Sequence, residues 1–322
     1  MILTRARPQT VGKVALLAVV LTIGLIAYGA WVRVSGSGLG CPDWPLCNGQ
    51  VVPTDRAATI ESGHRWYAGV TMLTVFAAAY MGFRQRREFP KASALLTTSA
   101  VFIVVQALLG AAVVLTELHP LIRLVHLSLA MTIIATLTVA AIGLLRGRDP
   151  SLSVRRPGWH LLPAAVAVIL VGGSIVATAN SYECAALPLC DRDSSPLATG
   201  LHSAHRVLGT LTMLATAFIA FRRWRSRDTG SLFKVTLLVT ALLIAQIAVG
   251  VSAVVLTLPT ALRVLHIGMA ASIWAGLIAA WSLAAQSPAN SPQIQPRARP
   301  PVESDDGKDG RDDAIPGSHA RR

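Results

Sequence analysis

This chain has little charge. Only 14% of its 322 residues are charged, with 16 acidic side chains, while 53% are hydrophobic and the mean hydropathy is +0.55. That balance excludes an ordinary soluble domain of this size and makes a membrane protein the expected class. Cysteine is scarce as well. The four present, Cys41, Cys47, Cys184 and Cys190, form no CxxC and have no histidine at ligand spacing, which argues against a structural zinc site, although zinc stays as the competing reading. The glycine-rich turn Gly36-Ser37-Gly38-Leu39-Gly40 has no strand before it and no Lys-Ser/Thr after it. It lacks what a phosphate-binding turn needs and reads as a flexible loop.

What is there in abundance is apolar sequence. Eight runs, at roughly 13–32, 64–83, 93–116, 121–145, 160–179, 202–221, 232–257 and 262–284, each approach the about 20 residues a helix needs to cross the hydrocarbon core. The first, preceded by Arg5, Arg7 and Lys13, is too long for a signal-peptide core and reads as a retained span. The net charge of +13 suggests nucleic acid until its placement is considered. Lysine and arginine collect at Arg5–Lys13, Arg84–Lys91, Arg146–Arg156 and Arg222–Lys234, in alternate connections. The positive-inside rule then places both termini in the cytoplasm and the cysteine loops on the outer side of a cell membrane, and the charge marks orientation, not a nucleic-acid partner. Beyond about 286 the composition turns to Pro, Ser, Asp and Arg. Such a tail, 287–322, cannot bury a core and is expected to be disordered and cytoplasmic.

The apolar runs repeat. Gln106-Ala107-Leu108-Leu109-Gly110 returns as Gln246-Ile247-Ala248-Val249-Gly250, Arg123-Leu124-Val125-His126 as Arg263-Val264-Leu265-His266, and His64-Arg65 as His205-Arg206. Four spans per repeat mean that both repeats enter from the same side. The expected fold is an all-α integral membrane protein of eight transmembrane helices, arranged as two four-helix bundles related by a pseudo-twofold along the membrane normal. The bundles are assigned to 1–150 and 151–286. Both cysteine segments, Cys41 to Cys47 and Cys184 to Cys190, have the same spacing and end Pro-Leu-Cys. In an oxidising outer compartment each is expected to close on itself as a disulfide.

Four histidines hold equivalent places: His64 and His205 near the starts of the second and sixth spans, His126 and His266 in the first turns of the fourth and eighth. Within each repeat the two lie at similar depth on what are expected to be neighbouring helices. Paired imidazoles inside a bundle suit the axial positions of heme iron; the plain alternative is that each only hydrogen-bonds within the bundle. Arg65 with Arg123, and Arg206 with Arg263, stand at the same interface. Guanidinium forks bind carboxylates such as heme propionates, though arginines there also snorkel to lipid headgroups. Gln106 and Gln246 fit either a lining role or interhelical hydrogen bonding. Glu61, three residues before His64, is matched in the second repeat by His202. A carboxylate at membrane depth costs on the order of 2.5–3.5 kcal/mol, so it serves either proton chemistry or, near an interface, as a helix cap.

Taken together, Glu61-x-x-His64-Arg65, His126, His205-Arg206, His266 and the two Cys-x5-Cys loops resemble the heme A synthase family across roughly residues 11–285. The resemblance implies that the N-terminal half holds the substrate heme O between His64 and His126, with Glu61 catalytic, and releases heme A. It implies heme b between His205 and His266 as an electron-transfer cofactor. It also implies a role for Cys41 and Cys47 in activity or heme handling, and a structural role for Cys184 and Cys190. The family reaction is two successive hydroxylations of one methyl group to a geminal diol, which loses water to give the aldehyde. A heme O synthase and a heme-copper oxidase are the partners implied, and a homo-oligomer is compatible. The competing readings are a di-heme b-type electron-transfer protein that leaves heme unmodified and a transporter built of parallel repeats.

Overall fold

The computed structural model describes residues 6–151, 161–177, 184, 186–187, 190 and 194–285. Within them the chain forms eight helices: α1 Pro8–Val34, α2 Arg56–Phe83, α3 Pro90–Leu115, α4 Pro120–Leu145, α5 Leu161–Ala177, α6 Pro196–Arg225, α7 Ser231–Val255 and α8 Thr260–Ala285. Seven are long and apolar enough to cross a membrane; α5 is described over 17 residues. This is a helical integral membrane protein, as its hydropathy requires. The tail at 287–322, His160 and His319 lie outside the described residues.

Several helices begin earlier than their apolar runs, because capping and not hydropathy sets the start. Asp55 accepts from the backbone N–H of Ala57 and Ala58 and opens α2, and Ser195 accepts from Ala198 with Pro196 at the first position of α6. Pro8, Pro90 and Pro120 open α1, α3 and α4, at positions where a missing N–H leaves no bond unmade. His119 is the N-cap residue of α4. Polar side chains inside the spans turn back on their own helix: Thr22 donates to the Ala18 carbonyl, Thr71 to Tyr67, Thr216 to Thr212 and Thr240 to Thr236. A hydroxyl in hydrocarbon needs such a partner.

Consecutive helices pack in both halves, and α4 and α8 meet at the centre. There the Trp274 indole of α8 donates to the Met131 carbonyl of α4 at 2.8 Å. Among the largest side chains at most 1% exposed, Ile133, Ile134, Leu137 and Leu144 are on α4 and Leu96 is on α3. Between the first four helices and the last four, α1 packs on α8 and α5 on α4. The halves differ in closure: α1 lies along α4, whereas α5 meets α8 at only a few described positions. The eight helices belong to one compact unit. Leu73, Val101, Leu108, Leu237, Leu238 and Ile244 lie exposed on its outside, a perimeter suited to lipid.

Candidate functional site

At one end of the bundle, the loop from α1 folds back onto the start of α2. Gly40 makes this possible: a Cβ there would stand 2.5 Å from the Ala57 carbonyl carbon. The glycine-rich segment therefore packs closely and is not the loose loop its composition suggests. Cys41 and Cys47 form a disulfide and are buried with Ala58, and Cys184 and Cys190 form the second. With their sulfurs so paired, the zinc reading of the cysteines falls away.

Glu61 lies beneath this loop, 4% exposed. Its Oε2 accepts from the Cys41 backbone N–H at 2.9 Å and its Oε1 pairs with Arg65 Nη2 at 2.8 Å. Asp55 caps the helix, so Glu61 is not the cap. Arg65 does more than pair with it. Its Nη2 also donates to the Cys41 carbonyl at 3.2 Å, and its Nη1 to the carbonyls of Asp43 at 2.8 Å, Pro45 at 3.4 Å and Leu46. The sequence suggests that Arg65 reaches a propionate; the structure turns both terminal nitrogens to Glu61 and the loop, because the folded-back loop presents its carbonyls there. Arg206 stands in the same relation to the second loop, donating to the Cys184 carbonyl at 3.4 Å and reaching its Sγ at 3.3 Å. Arg123 and Arg263 precede His126 and His266 by three residues, so each shares a helical face with its histidine.

The histidines sit about two turns into α2, α4, α6 and α8, all at the cysteine end. They are not on neighbouring helices. In the first half α2 makes no extended contact with α4, and both pack on α1 and α3; likewise α6 and α8 both pack on α7. Each pair therefore meets diagonally across a bundle. The His205 and His266 rings are 6.2 Å apart at 60°, and His126 lies close enough to His64 for their charges to interact. An iron that takes one nitrogen on each face at about 2 Å sets two imidazole centres about 6 Å apart. The second pair fits that spacing.

Each ring has a glycine behind it on an odd-numbered helix. A Cβ at Gly29, Gly110, Gly172 or Gly250 would meet Cε1 of His64, His126, His205 or His266 at 3.2, 3.4, 2.9 and 3.2 Å respectively. All four Nδ1 atoms are buried and make no hydrogen bond of good geometry, though the His205 and His266 rings face the Val168 and Gln246 backbones. Four such rings, in pairs, each against a bare stretch of helix, fit a histidine-ligated heme in each half. Sequence reasoning passed over these glycines, although two of them close the Gln-x-x-x-Gly repeat.

It also passed over two tyrosines. Tyr28 meets the His64 ring edge-on at 5.7 Å and lies 6.3 Å from Tyr67. Its hydroxyl occupies the space a Cβ on Gly63 would need. Two of only four tyrosines in the chain thus stand beside one histidine, where the second repeat has Val171 and Leu208. The signal was there in the comparison of the two repeats. His202, aligned with Glu61, is half-buried one turn before His205.

Comparison with known proteins points the same way. The cytochrome oxidase assembly protein family, COX15-CtaA, matches residues 12–278. A heme A synthase of Halalkalibacterium halodurans is 31% identical, over 71% of this chain and 82% of its own. Those of Symbiobacterium thermophilum and Shewanella oneidensis are each 27% identical, over 77% and 81% of this chain and 87% and 93% of their own. With its duplicated histidine pairs and paired cysteine loops, the chain belongs to the COX15-CtaA family of cytochrome oxidase assembly proteins.

Proposed function

We propose that this protein is a heme A synthase, an oxidoreductase that converts a methyl group of heme O to the formyl group of heme A. The observation that carries the proposal is Glu61: a buried carboxylate one turn from His64, held between a cation and a backbone N–H, in one of two otherwise matching halves. On this reading His64 and His126 hold heme O, and His205 and His266 hold heme b. Arg123 and Arg263 receive the propionates, while Arg65 and Arg206 fix the loops above the sites.

Methyl to formyl is a four-electron oxidation that proceeds through the alcohol and the geminal diol, and the diol loses water. Heme b, when bound, supplies a one-electron carrier beside the site. The protein's own part is positioning and proton handling. The His64 and His126 imidazoles and their backing glycines set the plane of the substrate. Glu61 stabilises positive charge at the reacting carbon or takes the proton released there. The disulfide and Arg65 keep that carboxylate in place and cover it from water.

The charge pattern of the connections supports an orientation with both termini in the cytoplasm and the cysteine loops outside. The product's destination makes a heme-copper oxidase the downstream partner and a heme O synthase the upstream one; a homo-oligomer is compatible with the apolar perimeter. The two bundles, 1–150 and 151–286, then divide the work between substrate and electron carrier.

Pigment extraction tests this. The full chain is expressed in a membrane supplied with heme O, and the extracted hemes are weighed by mass spectrometry. The wild type is expected to yield heme A. Glu61→Ala is expected to yield heme b and unreacted heme O with no heme A. Heme A at the wild-type level from that variant removes Glu61 from the mechanism, and its absence from the wild type overturns the function.

A further inference from the structure

The ends of α2 and α6 that lie away from the cysteine loops match in residue type but not in what their arginines do. Counted from His64 and His205, Tyr80, Phe83, Arg84 and Arg86 correspond to Phe221, Trp224, Arg225 and Arg227. In the first half the guanidiniums turn onto their own helix end. Arg84 Nη1 donates to the Tyr80 hydroxyl at 3.3 Å. Arg86 Nη1 donates to the Phe83 carbonyl at 3.0 Å, with the guanidinium 4.1 Å from the Phe83 ring centre. In the second half Phe221 has no hydroxyl to offer, and Arg225 stands 5.9 Å from its ring centre. Arg225 and Arg227 make no side-chain hydrogen bond or ion pair among the described residues. Asp228, the one acid between α6 and α7, is already taken: it accepts from Arg223 and from the Gly230 N–H, both at 2.8 Å.

Arg227 also holds a backbone position that favours glycine. The N–H groups of Arg227 and Asp228 donate to the Trp224 and Arg223 carbonyls, which closes α6 with Arg227 in the left-handed region at φ 56°. The end of α4 closes in the same way through Gly147 and Arg148, and there the left-handed residue is a glycine, at φ 61°. A side chain in that region strains the backbone, so Arg227 carries its charge at a cost glycine would not incur. Phe221 and Trp224, 49% and 65% exposed, have ring centres 5.9 Å apart. With Arg225 and Arg227 they line an open recess of about 540 Å³. It lies at the last turn of a membrane-spanning helix, where an indole sits at headgroup depth.

We infer that this recess is a binding site for an anionic phospholipid, with Arg225 and Arg227 on the phosphate and Phe221 and Trp224 against the glycerol and upper acyl chain. A guanidinium fork matches phosphate oxygens, and basic pockets at the ends of transmembrane helices collect anionic lipid. The matching end of α2 has the same residue types with their donors engaged, so the site belongs to the second half alone. The inference is independent of the heme reading of the histidines.

The full-length protein in a neutral detergent is titrated with phosphatidylglycerol or phosphatidylcholine. Retained lipid is counted by native mass spectrometry, and the thermal midpoint is followed in parallel. The wild type is expected to prefer phosphatidylglycerol. Each arginine on the phosphate is expected to contribute about fivefold in affinity, so Arg225→Gln with Arg227→Gly should weaken phosphatidylglycerol binding by about 25-fold and leave phosphatidylcholine unchanged. Arg227→Gly removes strain as well as charge, so the lipid-free variant should unfold no earlier than the wild type, and the lost binding is read on a folded protein. Arg84→Gln with Arg86→Gln is expected to bind phosphatidylglycerol as the wild type does. No preference in the wild type, a preference that survives in the α6 variant, or an equal loss in the α2 variant overturns the inference. The same midpoint rise from inorganic phosphate alone makes a free anion the occupant and overturns it too. If the double variant does not accumulate, the fivefold loss expected of Arg225→Gln decides alone.

Discussion

The two halves of this molecule carry the same backbone and different chemistry. Both have a disulfide loop held by an arginine, a diagonal pair of histidines, glycines behind the rings and a glutamine on a histidine carbonyl. Only the first has Glu61, Tyr28 and Tyr67, where the second has His202, Val171 and Leu208. Features present twice fit the needs of holding a flat ligand, which both halves share on the proposed reading. Features present once lie around His64, where the reaction is proposed. On that reading, loss of symmetry in a few side chains is enough to separate a substrate site from a cofactor site.

The sharpest way to break that comparison is at the two loop arginines. Arg65 bonds Glu61 and the carbonyls of Cys41, Asp43, Pro45 and Leu46, while Arg206 is seen bonding Cys184. Arg65→Met strands a buried carboxylate without its cation, a change that costs about 3 kcal/mol; Arg206→Met has no counterpart of Glu61 to strand, because His202 stands at that position. Thermal unfolding in detergent should show a clearly larger fall in midpoint for Arg65→Met. Equal falls would mean that the Glu61 ion pair contributes nothing particular to the first half.

A smaller effect is expected at the glycines, and it should be graded. Alanine is worth roughly 1 kcal/mol over glycine inside a helix, so Gly→Ala stabilises wherever the added methyl fits. At Gly110 the nearest atom, His126 Cε1, is 3.4 Å from the new Cβ; at Gly172, His205 Cε1 is at 2.9 Å and Nδ1 at 3.0 Å. Gly172→Ala must push the ring aside, whereas Gly110→Ala need not. Hemin titration followed by absorbance should show weaker binding for Gly172→Ala and near wild-type binding for Gly110→Ala. The reverse order would mean the rings are not seated as described.

Much of this was legible before any coordinates. The helical membrane class and the two disulfide pairings follow from hydropathy and identical Cys-x5-Cys spacing. The helix starts did not follow, because Asp55 and Ser195 lie in polar sequence that hydropathy discards. The diagonal placement of the histidines was misjudged: equal depth on helices of one bundle does not say which helices touch, and that depends on side-chain volume at contacts far apart in sequence. Arg65 was assigned to a propionate because an arginine's spacing reveals its reach but not the carbonyls that a folded-back loop will offer. The glycines are the more instructive omission. Gly110 and Gly250 were visible in the repeat, but a missing side chain acquires meaning only from the ring that occupies its space.

The finest contrast lies within the cysteine loops, where Asp43 of the first is replaced by Ala186 in the second. The Asp43 carboxylate accepts from the backbone N–H of Gly49 and Asn48, residues with φ of 69° and 53°. These bonds, Gly49 foremost, with Arg65 nearby, hold its pKa below the usual carboxylate value. The folded pKa is depressed, so the contribution to loop order is fully present above the unfolded pKa of about 3.9 and is lost as pH falls through the folded value. The ratio of reduction rates of Cys41–Cys47 and Cys184–Cys190 by a phosphine, read by alkylation and peptide mass, follows this effect, and because Glu183 and Asp191 flank the second pair the comparison with Asp43→Ala isolates it. The ratio should stay flat from neutral pH down to the ordinary aspartate range and climb only in stronger acid. Asp43→Ala should remove that climb and make the first disulfide modestly faster to reduce at every pH. A climb that survives in Asp43→Ala would remove Asp43 from the acid sensitivity of this loop.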